Sequence, residues 1–461
     1  MHPVEMPGAL SSESKDADAP TKQKMDGTVV MQTQACSPSE SDEPAKRTSR
    51  RDIRLATNPS RREKLSIGEW SMHALKIEET EGIAAQIIGF ELLMPYKCFQ
   101  RKRLCSFLKS LHENYDNENR YHTQVHAGDV CNSVYFITQT IGLFRELNDS
   151  KRVALLLAAL GHDVGHFGRN NQFLIKNRHN LATTYNDRSV LESFHCATLF
   201  RLLEPDRNVG LEHCSPSGLL SQLSSETNTK ARQFIIALIL ATDTQYHLED
   251  LASFKAKLDT LEATGDFESQ QTGKDQQDIL CFLFRAADIG HSAKPWHIHE
   301  AWSIRVSEEF HGQGDEELSL GIPISPLCDR RGFVMSTSQM GFLRFICLPT
   351  WTAISRFELL WRASKIDLSA IDNEDEKHRR SVDFTYQMSV GDSARRYSWD
   401  DRVCSKEKIQ KEDLKKLIQR AELDRNEANS ANKSVAGNCL AQCESNFKEW
   451  ERQSQALKGD K

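Results

Sequence analysis

The sequence predicts an all-α fold, in which a compact multi-helix domain follows a disordered N-terminal tail. Between Ile67 and Trp361, apolar residues recur mostly at steps of three and four, the spacing of one face of an α-helix. Two such sets are Phe99, Leu104, Phe107, Leu108 and Leu111, and Val153, Leu156, Leu157 and Leu160. Strand signals are lacking in this stretch, since no alternating β-branched run is closed by Asn-Gly or Asp-Gly. We therefore expect helix almost throughout it.

The two ends of the chain differ in composition from this periodic stretch. Residues 1–65 are rich in Ser, Thr, Pro, Lys and acidic residues, and few are large and apolar, so we expect a disordered tail. Its basic run, residues 46–64, is most simply a solvated linker, although it could touch an anionic membrane or direct nuclear import. Residues 363–432 are charged and poor in large apolar groups, whereas residues 439–450 are amphipathic again.

The composition excludes several classes of protein. Of the 461 residues, 39% are hydrophobic and 27% are charged, which is typical of a soluble globular protein. The net charge of −6 argues against nucleic acid as a partner. The longest apolar runs, residues 153–160 and 234–241, are about half as long as a transmembrane helix, which needs roughly 20 residues. Neither a signal peptide after Met1 nor a myristoylation site at His2 is present. The twelve cysteines form no close-spaced framework, which indicates reduced thiols and a cytoplasmic location.

Two histidines four residues apart form the first candidate metal-binding segment. On a helix, His122 and His126 would share a face, with Asp129 one turn further along. One imidazole could then bind a metal while the other points at a substrate. Taken alone, such a pair is more often two ordinary surface or core histidines.

Two further segments place ionisable residues at the ends of apolar helices. His162 and Asp163, followed by His166, end an apolar stretch, where buried charge is costly unless a metal or partner satisfies it. A carboxylate has two oxygens, so Asp163 could bridge two ions. Asp288 ends the apolar run of residues 279–284, and its alternative role is to cap the next helix. Together the three segments predict one shared metal site.

In motif order and spacing, the chain resembles the class I cyclic nucleotide phosphodiesterases over roughly residues 67–361. The motifs that carry this resemblance are Arg120-Tyr121-His122-x-x-x-His126-Ala127-Gly128-Asp129-Val130, His162-Asp163-Val164-x-His166, Asn171-Gln172-Phe173, Tyr185-Asn186-Asp187-Arg188-Ser189-Val190-Leu191-Glu192, Ala241-Thr242-Asp243, Ala287-Asp288-Ile289, Glu308-Glu309-Phe310 with Gln313-Gly314-Asp315, Pro326-Leu327-Cys328-Asp329-Arg330, and Ser338-Gln339-x-Gly341-Phe342.

The resemblance implies a catalytic domain of the phosphodiesterase/HD type over residues 66–455. Residues 363–432 would be an insertion in that domain, residues 440–450 would form its closing helix, and residues 456–461 would be a short C-terminal tail. It also implies hydrolysis of cyclic AMP, cyclic GMP or both to 5′-nucleoside monophosphates, with a cyclic nucleotide as the bound partner.

The resemblance further implies two divalent metal ions. His126, His162, Asp163 and Asp288 would hold zinc, and Asp163 would bridge to magnesium or manganese. Hydroxide generated between the ions would attack phosphorus, and His122 would protonate the leaving 3′-oxygen. Glu192 and His166 would orient waters and ligands at the metals.

Six residues are expected to bind the nucleotide. Gln339 offers both a donor and an acceptor to a purine edge, and Phe342, one turn along the same helix, offers a flat face for stacking. By resemblance Val306 would press from the other side, Trp302 and Tyr121 would shape the pocket, and His291 would lie near the base. By resemblance, the sequence pattern of residues 286–296 favours use of both cyclic AMP and cyclic GMP.

The chain departs from the family pattern beside the ligands rather than at them. Thr123 stands where Asn is usual, Gly165 where Asp is common, Phe167 in place of a frequent Pro, and Ser193-Phe194 in place of Asn-His. We expect an active enzyme with a modestly retuned site.

Two other functions stay open at this point. The chain could be another metal-dependent phosphohydrolase of the His-Asp superfamily, acting on nucleoside mono- or triphosphates, or a non-catalytic nucleotide-binding or scaffold protein. Regulation through phosphorylation near Arg50-Arg51 or Arg61-Arg62, through the insertion, through partners of the tails or through homodimerisation is also open.

Overall fold

The computed structural model describes residues 59–203, 218–220, 224–265, 273–365, 418 and 434–459. The expected all-α fold is confirmed, since these residues contain helices and no strand. The helices are α1 (Pro59–Lys64), α2 (Ala74–Glu81), α3 (Ala84–Leu93), α4 (Arg101–Glu113), α5 (Gln124–Ile141), α6 (Leu143–Glu146), α7 (Asp149–Gly161), α8 (Asn171–Lys176), α9 (Asn180–Thr184), α10 (Val190–Leu203), α11 (Ser225–Leu240), α12 (His247–Thr264), α13 (Gly273–Asp288), α14 (Trp296–Ser319), α15 (Met335–Phe342), α16 (Leu348–Ala363) and α17 (Val435–Gly459). Short 3₁₀ turns cover Thr244–Tyr246 and Gly290–Ala293, and a π-helical segment, Leu343–Cys347, joins α15 to α16.

Helix α7 lies at the centre of the core. Asn148 caps it by accepting a hydrogen bond from the backbone N–H of Lys151, and every residue from Val153 to Gly161 is buried. A helix that is apolar all round must be surrounded by other helices. Helices α3, α5 and α11 pack against α7. The last residue of α7 therefore delivers the next side chains into the interior of the domain.

Helices α13, α14 and α15 carry the remaining predicted site residues. Helix α13 packs on α5 and α11, and Asp288 is its last residue. The turn Gly290–Ala293 follows and holds His291. Gln339 and Phe342 both lie on α15, so the expectation that they share a helix is confirmed.

The closing helix expected over residues 440–450 lies within α17 and packs on α15 and α16. A buried carboxylate from α16 fixes its start: Glu358 accepts hydrogen bonds from Ser434 Oγ and Ala436 N, both at 2.8 Å. A negative charge at a helix N-terminus also interacts favourably with the helix dipole. The C-terminal segment thus returns to the domain after the charged stretch.

The domain boundaries expected from the sequence differ from the structure at both ends. Residues 59–64 form α1, and the Arg62 guanidinium donates to the Ile67 carbonyl and the Tyr135 hydroxyl, so structured residues extend into the expected tail. Helix α17 likewise continues to Gly459. Residues 1–58, most of the insertion and of the basic run, and residues 460–461 lie outside the described residues. None of the described helices combines the length and apolar character needed to cross a bilayer.

Candidate active site

Four side chains from three parts of the chain converge on one point. Their ligand atoms, one from each of His126, His162, Asp163 and Asp288, lie within 4.8 Å of one another. The Asp288 Oδ1 oxygen is 2.9 Å from His126 Nε2 and 3.1 Å from His162 Nε2. Asp163 Oδ2 is 3.0 Å from His162 Nε2 and 3.6 Å from His126 Nε2. The sequence-predicted ligands are therefore brought together.

The hydrogen bonds around this cluster fit a bound cation. His162 Nδ1 lies 2.9 Å from the Ala159 carbonyl and must donate to it, which leaves the Nε2 lone pair facing the carboxylates when the ring is neutral. Lone pair against carboxylate oxygen is repulsive unless a positive charge lies between them. Asp163 Oδ2 is buried and accepts no hydrogen bond of good geometry. Two imidazoles and two carboxylates make four ligands, and four ligands of these types suit tetrahedral zinc.

The electrostatics of these buried groups lead to the same conclusion. Burial by itself lowers the pKa of His162, but Asp163 and Asp288 raise that pKa well above its ordinary value. Burial disfavours ionised Asp288, yet His162 and His126 hold its pKa below the ordinary value. The cluster therefore stabilises positive charge strongly, and a divalent ion supplies more of it than a proton.

The local backbone at two of these segments differs from the sequence expectation. His122 and His126 were expected on one helix face, but α5 begins at Gln124 after an extended Thr123, so His122 precedes the helix. The reason is that the backbone N–H groups of Tyr121 and His122 donate to Glu309 Oε2 at 2.8 and 3.0 Å, instead of facing a helix axis.

Asp129 and the His162-Asp163 pair have different surroundings. Asp129 does not join the metal cluster, because Lys294 Nζ lies 2.5 Å from its Oδ1 in a buried ion pair. His162 and Asp163 lie just beyond the end of α7 rather than on it. Gly165 follows with φ of 82°, which reverses the chain and brings His166 back to the site.

Glu309 of α14 holds His122 and was not singled out from the sequence. Its Oε1 oxygen forms a short hydrogen bond with His122 Nδ1, so Nε2 is the free ring nitrogen. Burial lowers the pKa of His122, but the charge and hydrogen bond of Glu309 outweigh it and raise the pKa to about 9. His122 is therefore a protonated imidazolium at neutral pH, as a general acid must be. Its side chain is 24% exposed, which keeps the ring within reach of a ligand.

His166 lies against the face of His122. The two rings stack, with centroids 4.0 Å apart and planes 24° apart. His166 Nδ1 accepts from the Gly168 N–H at 3.0 Å, while Asn119 donates to the His166 carbonyl at 2.6 Å. Burial first, then the neighbouring His122 charge, lowers the pKa of His166 well below its ordinary value. A neutral ring with Nε2 free fits the expected supporting role.

Glu192 lines the same cavity as Asp163 and Asp288. The Asn171 amide donates to its two oxygens at 3.3 and 3.0 Å. Burial and the nearby Asp243 raise the pKa of Glu192 to about 7. His195 is a neighbour that the sequence reasoning missed: its Nδ1 donates to the Val164 carbonyl, and its Nε2 lies 3.9 Å from Asp163 Oδ1.

The departures at Gly165 and Phe194 are packed against each other. A Cβ added at Gly165 would lie 2.9 Å from Phe194 Cε1. The φ of 82° adds backbone strain for any side chain at that position. The two departures are thus one structural change, in which a ring occupies the space beside the glycine.

The end of the cavity for which the sequence predicts nucleotide binding is formed by α14, α15 and the turn after α13. Gln339 is 4% exposed, and its Oε1 accepts from Ser303 Oγ at 3.1 Å. The His291 and Phe342 rings lie nearly parallel, with centroids 6.0 Å apart. Val306 lines the cavity with them. These residues meet as the sequence predicted.

Two predicted pocket residues occupy different positions. Tyr121 lines the cavity, with its ring 4.5 Å from the His126 ring and 6.1 Å from that of His291. Trp302 is 1% exposed and lies behind Tyr121 rather than at the cavity wall. Trp302 therefore shapes the pocket only through Tyr121 and His126, whose rings it contacts edge-on.

Most of these groups, among them His122, Asp163, Asp288, Gln339 and Phe342, line one cavity of about 560 Å³. That volume is in the range of ~300–1,000 Å³ typical of small-molecule sites. Two carboxylates, Asp163 and Asp288, the imidazole of His122 and the amide of Gln339 thus line a single cavity. A model of the family described as 3′5′-cyclic nucleotide phosphodiesterase matches residues 121–362, just over half of the chain.

The chain belongs to this family.

Curated relatives include phosphodiesterases from a nematode and from mammals. The chain is 38% identical to the "Probable 3′,5′-cyclic phosphodiesterase pde-1" of Caenorhabditis elegans over 289 residues, 61% of this chain and 40% of that protein. It is 33% identical to the human "Dual specificity calcium/calmodulin-dependent 3′,5′-cyclic nucleotide phosphodiesterase 1B" over 320 residues, 67% of this chain and 55% of that protein. For the human 1C enzyme of the same description the identity is 33% over 296 residues, 63% of this chain and 39% of that protein. The chain thus spans about half the length of these phosphodiesterases or less.

Proposed function

We propose that this chain hydrolyses 3′,5′-cyclic nucleotides to 5′-nucleoside monophosphates and so terminates cyclic nucleotide signalling. One observation carries the proposal: the two carboxylates of the four-residue cluster, Asp163 and Asp288, line the same cavity as His122 and the Gln339–Phe342 pair. The carboxylates would act at the phosphodiester bond, His122 at its leaving oxygen, and Gln339 with Phe342 at the purine. Family membership supports the same reaction.

The proposed cofactors are two divalent ions. His126, His162, Asp163 and Asp288 would hold zinc, and Asp163 would also contact magnesium or manganese. When bound, the ions neutralise phosphate charge and lower the pKa of coordinated water. Glu192 and His166 line the cavity beside this cluster and would orient water there by hydrogen bonds.

His122 would protonate the leaving 3′-oxygen. The glutamate behind it keeps Nδ1 occupied and the ring charged, so the proton on Nε2 is the one available to a ligand. The reaction consumes this proton at the oxygen, and the product alcohol carries it away. The ring must then recover a proton from solvent, which its partial exposure permits.

Gln339 would read the purine edge while Phe342 and Val306 hold the ring faces. Ser303 Oγ lies 3.1 Å from Gln339 Oε1 and 2.9 Å from the His299 carbonyl. A hydroxyl can donate or accept, so Ser303 can satisfy either orientation of the Gln339 amide. This tolerance supports use of both cyclic AMP and cyclic GMP, and the human relatives are likewise described as having dual specificity.

Steady-state hydrolysis by the full chain tests the proposal. Cyclic AMP, cyclic GMP and a deoxynucleoside triphosphate are supplied with zinc and magnesium or manganese, before and after chelation. We expect metal-dependent turnover of one or both cyclic nucleotides and little of the triphosphate. Preferred turnover of the triphosphate would favour the other phosphohydrolases of the superfamily, and nucleotide binding without turnover would favour a scaffold.

A His122→Ala variant tests the assigned acid. Its turnover of cyclic nucleotides should fall by roughly 10²–10⁴-fold, the range of general acid catalysis. His112→Ala, on α4, is a matched histidine control and should leave turnover unchanged. Unchanged turnover in His122→Ala would remove the assignment. Cytoplasmic location, homodimerisation and partners of the tails stay predictions.

A further inference from the structure

Helix α17 packs behind elements that line the cavity, although it lies outside the stretch that matches the family, which ends at residue 362. It packs against α15, the helix of Gln339 and Phe342, and against the turn Gly290–Ala293. That turn carries His291, which lines the cavity and whose ring lies nearly parallel to that of Phe342, with centroids 6.0 Å apart. The C-terminal segment can therefore act on substrate binding through the turn.

One side chain of α17, that of Asn446, forms hydrogen bonds to the backbone of this turn. Asn446 is fully buried, and its Nδ2 donates to the carbonyls of Ser292 and Lys294, each at 2.9 Å. Both carbonyls belong to fully buried residues at the end of a short helical turn, where backbone acceptors lack partners within the helix. An amide nitrogen supplies two N–H donors at one point, which fits two adjacent acceptors.

The orientation of the Asn446 amide is itself fixed. Gln442, one turn earlier on α17, donates from Nε2 to Asn446 Oδ1 at 3.1 Å. The oxygen is thereby directed along α17, and both N–H groups point to the turn. Both N–H donors of this amide therefore hold residues 292–294.

A second link from α17 ends on the same histidine. The Trp450 indole N–H lies 2.8 Å from His299 Nε2, and His299 Nδ1 lies 3.2 Å from His291 Nδ1. Since Nε2 of His299 accepts, its Nδ1 carries the proton and donates to His291. This chain sets the tautomer of His291, whereas Asn446 sets the position of its backbone.

We propose that Asn446 is a positioning residue of the nucleotide pocket, through which α17 sets the place of His291 opposite Phe342. The inference rests on the proposed function. Other groups also anchor the turn: Trp70 donates to the Ala293 carbonyl at 2.8 Å, and Lys294 pairs with Asp129. Among the described residues, Asn446 is the side chain that donates to the Ser292 carbonyl, and Ser292 directly follows His291 in the chain. Loss of its donors leaves that carbonyl buried without a partner, and the turn must shift to recover one.

The test compares Asn446→Leu with the unmodified full chain on two kinds of substrate. Leucine keeps the approximate shape of asparagine and removes both donors. We expect KM for cyclic AMP and cyclic GMP to rise about tenfold while kcat changes less than about twofold, because ground-state binding of the base is what is lost. Hydrolysis of bis(4-nitrophenyl) phosphate, which has no purine, should be unchanged.

Two matched controls separate positioning from folding. Asn438→Leu makes the same change at an exposed position of α17, and Cys439→Ala removes a buried side chain from that helix. Neither should alter KM, even where Cys439→Ala lowers the melting temperature. If Cys439→Ala raises KM as much as Asn446→Leu, or if Asn446→Leu slows both kinds of substrate equally, the inference is wrong.

A milder variant covers the case in which Asn446→Leu does not fold. Gln442→Leu leaves the Asn446 donors in place and frees the amide to rotate, so a rise in KM of about threefold is expected from a weakened hydrogen bond. An unchanged KM in a folded Gln442→Leu, with Asn446→Leu unfolded, overturns the proposal. If the unmodified chain cleaves bis(4-nitrophenyl) phosphate but neither cyclic nucleotide, the proposed function fails first, and the inference fails with it.

Discussion

Replacing Glu309 with glutamine should move the alkaline limit of activity to a lower pH. The carboxylate is the partner that keeps His122 protonated, and its own pKa is lowered to about 2 because His122 outweighs the opposing effect of burial. Glutamine keeps an oxygen for the N–H groups of Tyr121 and His122. Its amide nitrogen then faces His122 Nδ1 and favours the neutral ring, which is the weaker acid.

The size of the effect follows from the pKa of His122. With Glu309 that pKa is about 9, and we take the ordinary 6.5 for the variant, in which burial still lowers the pKa while Asp163 and Asp288 still raise it. A shift of roughly 2.5 units is equivalent to about 3 kcal/mol in favour of the charged ring. The protonated fraction at pH 8 would fall from about 90% to about 3%, which is a loss of about thirtyfold, whereas at pH 6 the loss would be less than about twofold.

The sign of the pH dependence is fixed by the role of the ring. A general acid works only when protonated, so activity is lost as pH rises through its pKa. Bound metal ions lower the pKa of His122 in both proteins, and the comparison therefore concerns the difference between them.

The assay is the pH profile of kcat/KM for cyclic AMP from pH 5.5 to 10, in buffers of constant ionic strength and saturating metal. Glu308→Gln is the matched control, because the neighbouring Glu308 is exposed on the same helix and should leave the profile in place. If the alkaline limb of Glu309→Gln coincides with that of the unmodified enzyme, the carboxylate does not set the pKa of His122 and the reasoning fails.

Three further perturbations test other parts of the site. Asp288→Ala removes one of four proposed ligands and should weaken zinc binding more than about 100-fold, since changes even to the groups that support metal ligands cost about 10–100-fold. Metal analysis after dialysis measures this, and full retention of zinc would exclude Asp288 as a ligand. Gly165→Ala should lower the free energy of unfolding by about 1–3 kcal/mol in urea titration, with part of the loss recovered by adding Phe194→Ala, because the contact at 2.9 Å is then relieved; no loss would contradict the close packing. Lys294→Ala leaves buried Asp129 unpaired and should cost about 3–5 kcal/mol, whereas the double change Lys294→Met with Asp129→Leu should cost much less; equal costs would show that the charge is not what matters.

The sequence by itself determined the fold class and the residues that we propose as metal ligands. Helical periodicity is a local property, so the all-α architecture and the burial of α7 could be predicted from residue spacing. His162, Asp163 and Asp288 could be identified because ionisable groups at the ends of apolar helices are costly without a partner. Gln339 and Phe342 are three residues apart on one helix, so their position on the same face could also be predicted from local spacing.

Only the tertiary structure decided which distant groups act on these residues. Glu309 lies 187 residues after His122, and Asn446 lies 154 residues after Ser292, so neither pairing has a signature in the spacing of the chain. The same long-range contact explains the wrong helix assignment of His122, since Glu309 draws the backbone N–H groups of residues 121 and 122 away from a helical path. Local chemistry fixes which side chains can bind a metal or a base, whereas their charge state and exact placement depend on partners that only packing brings within hydrogen-bonding distance.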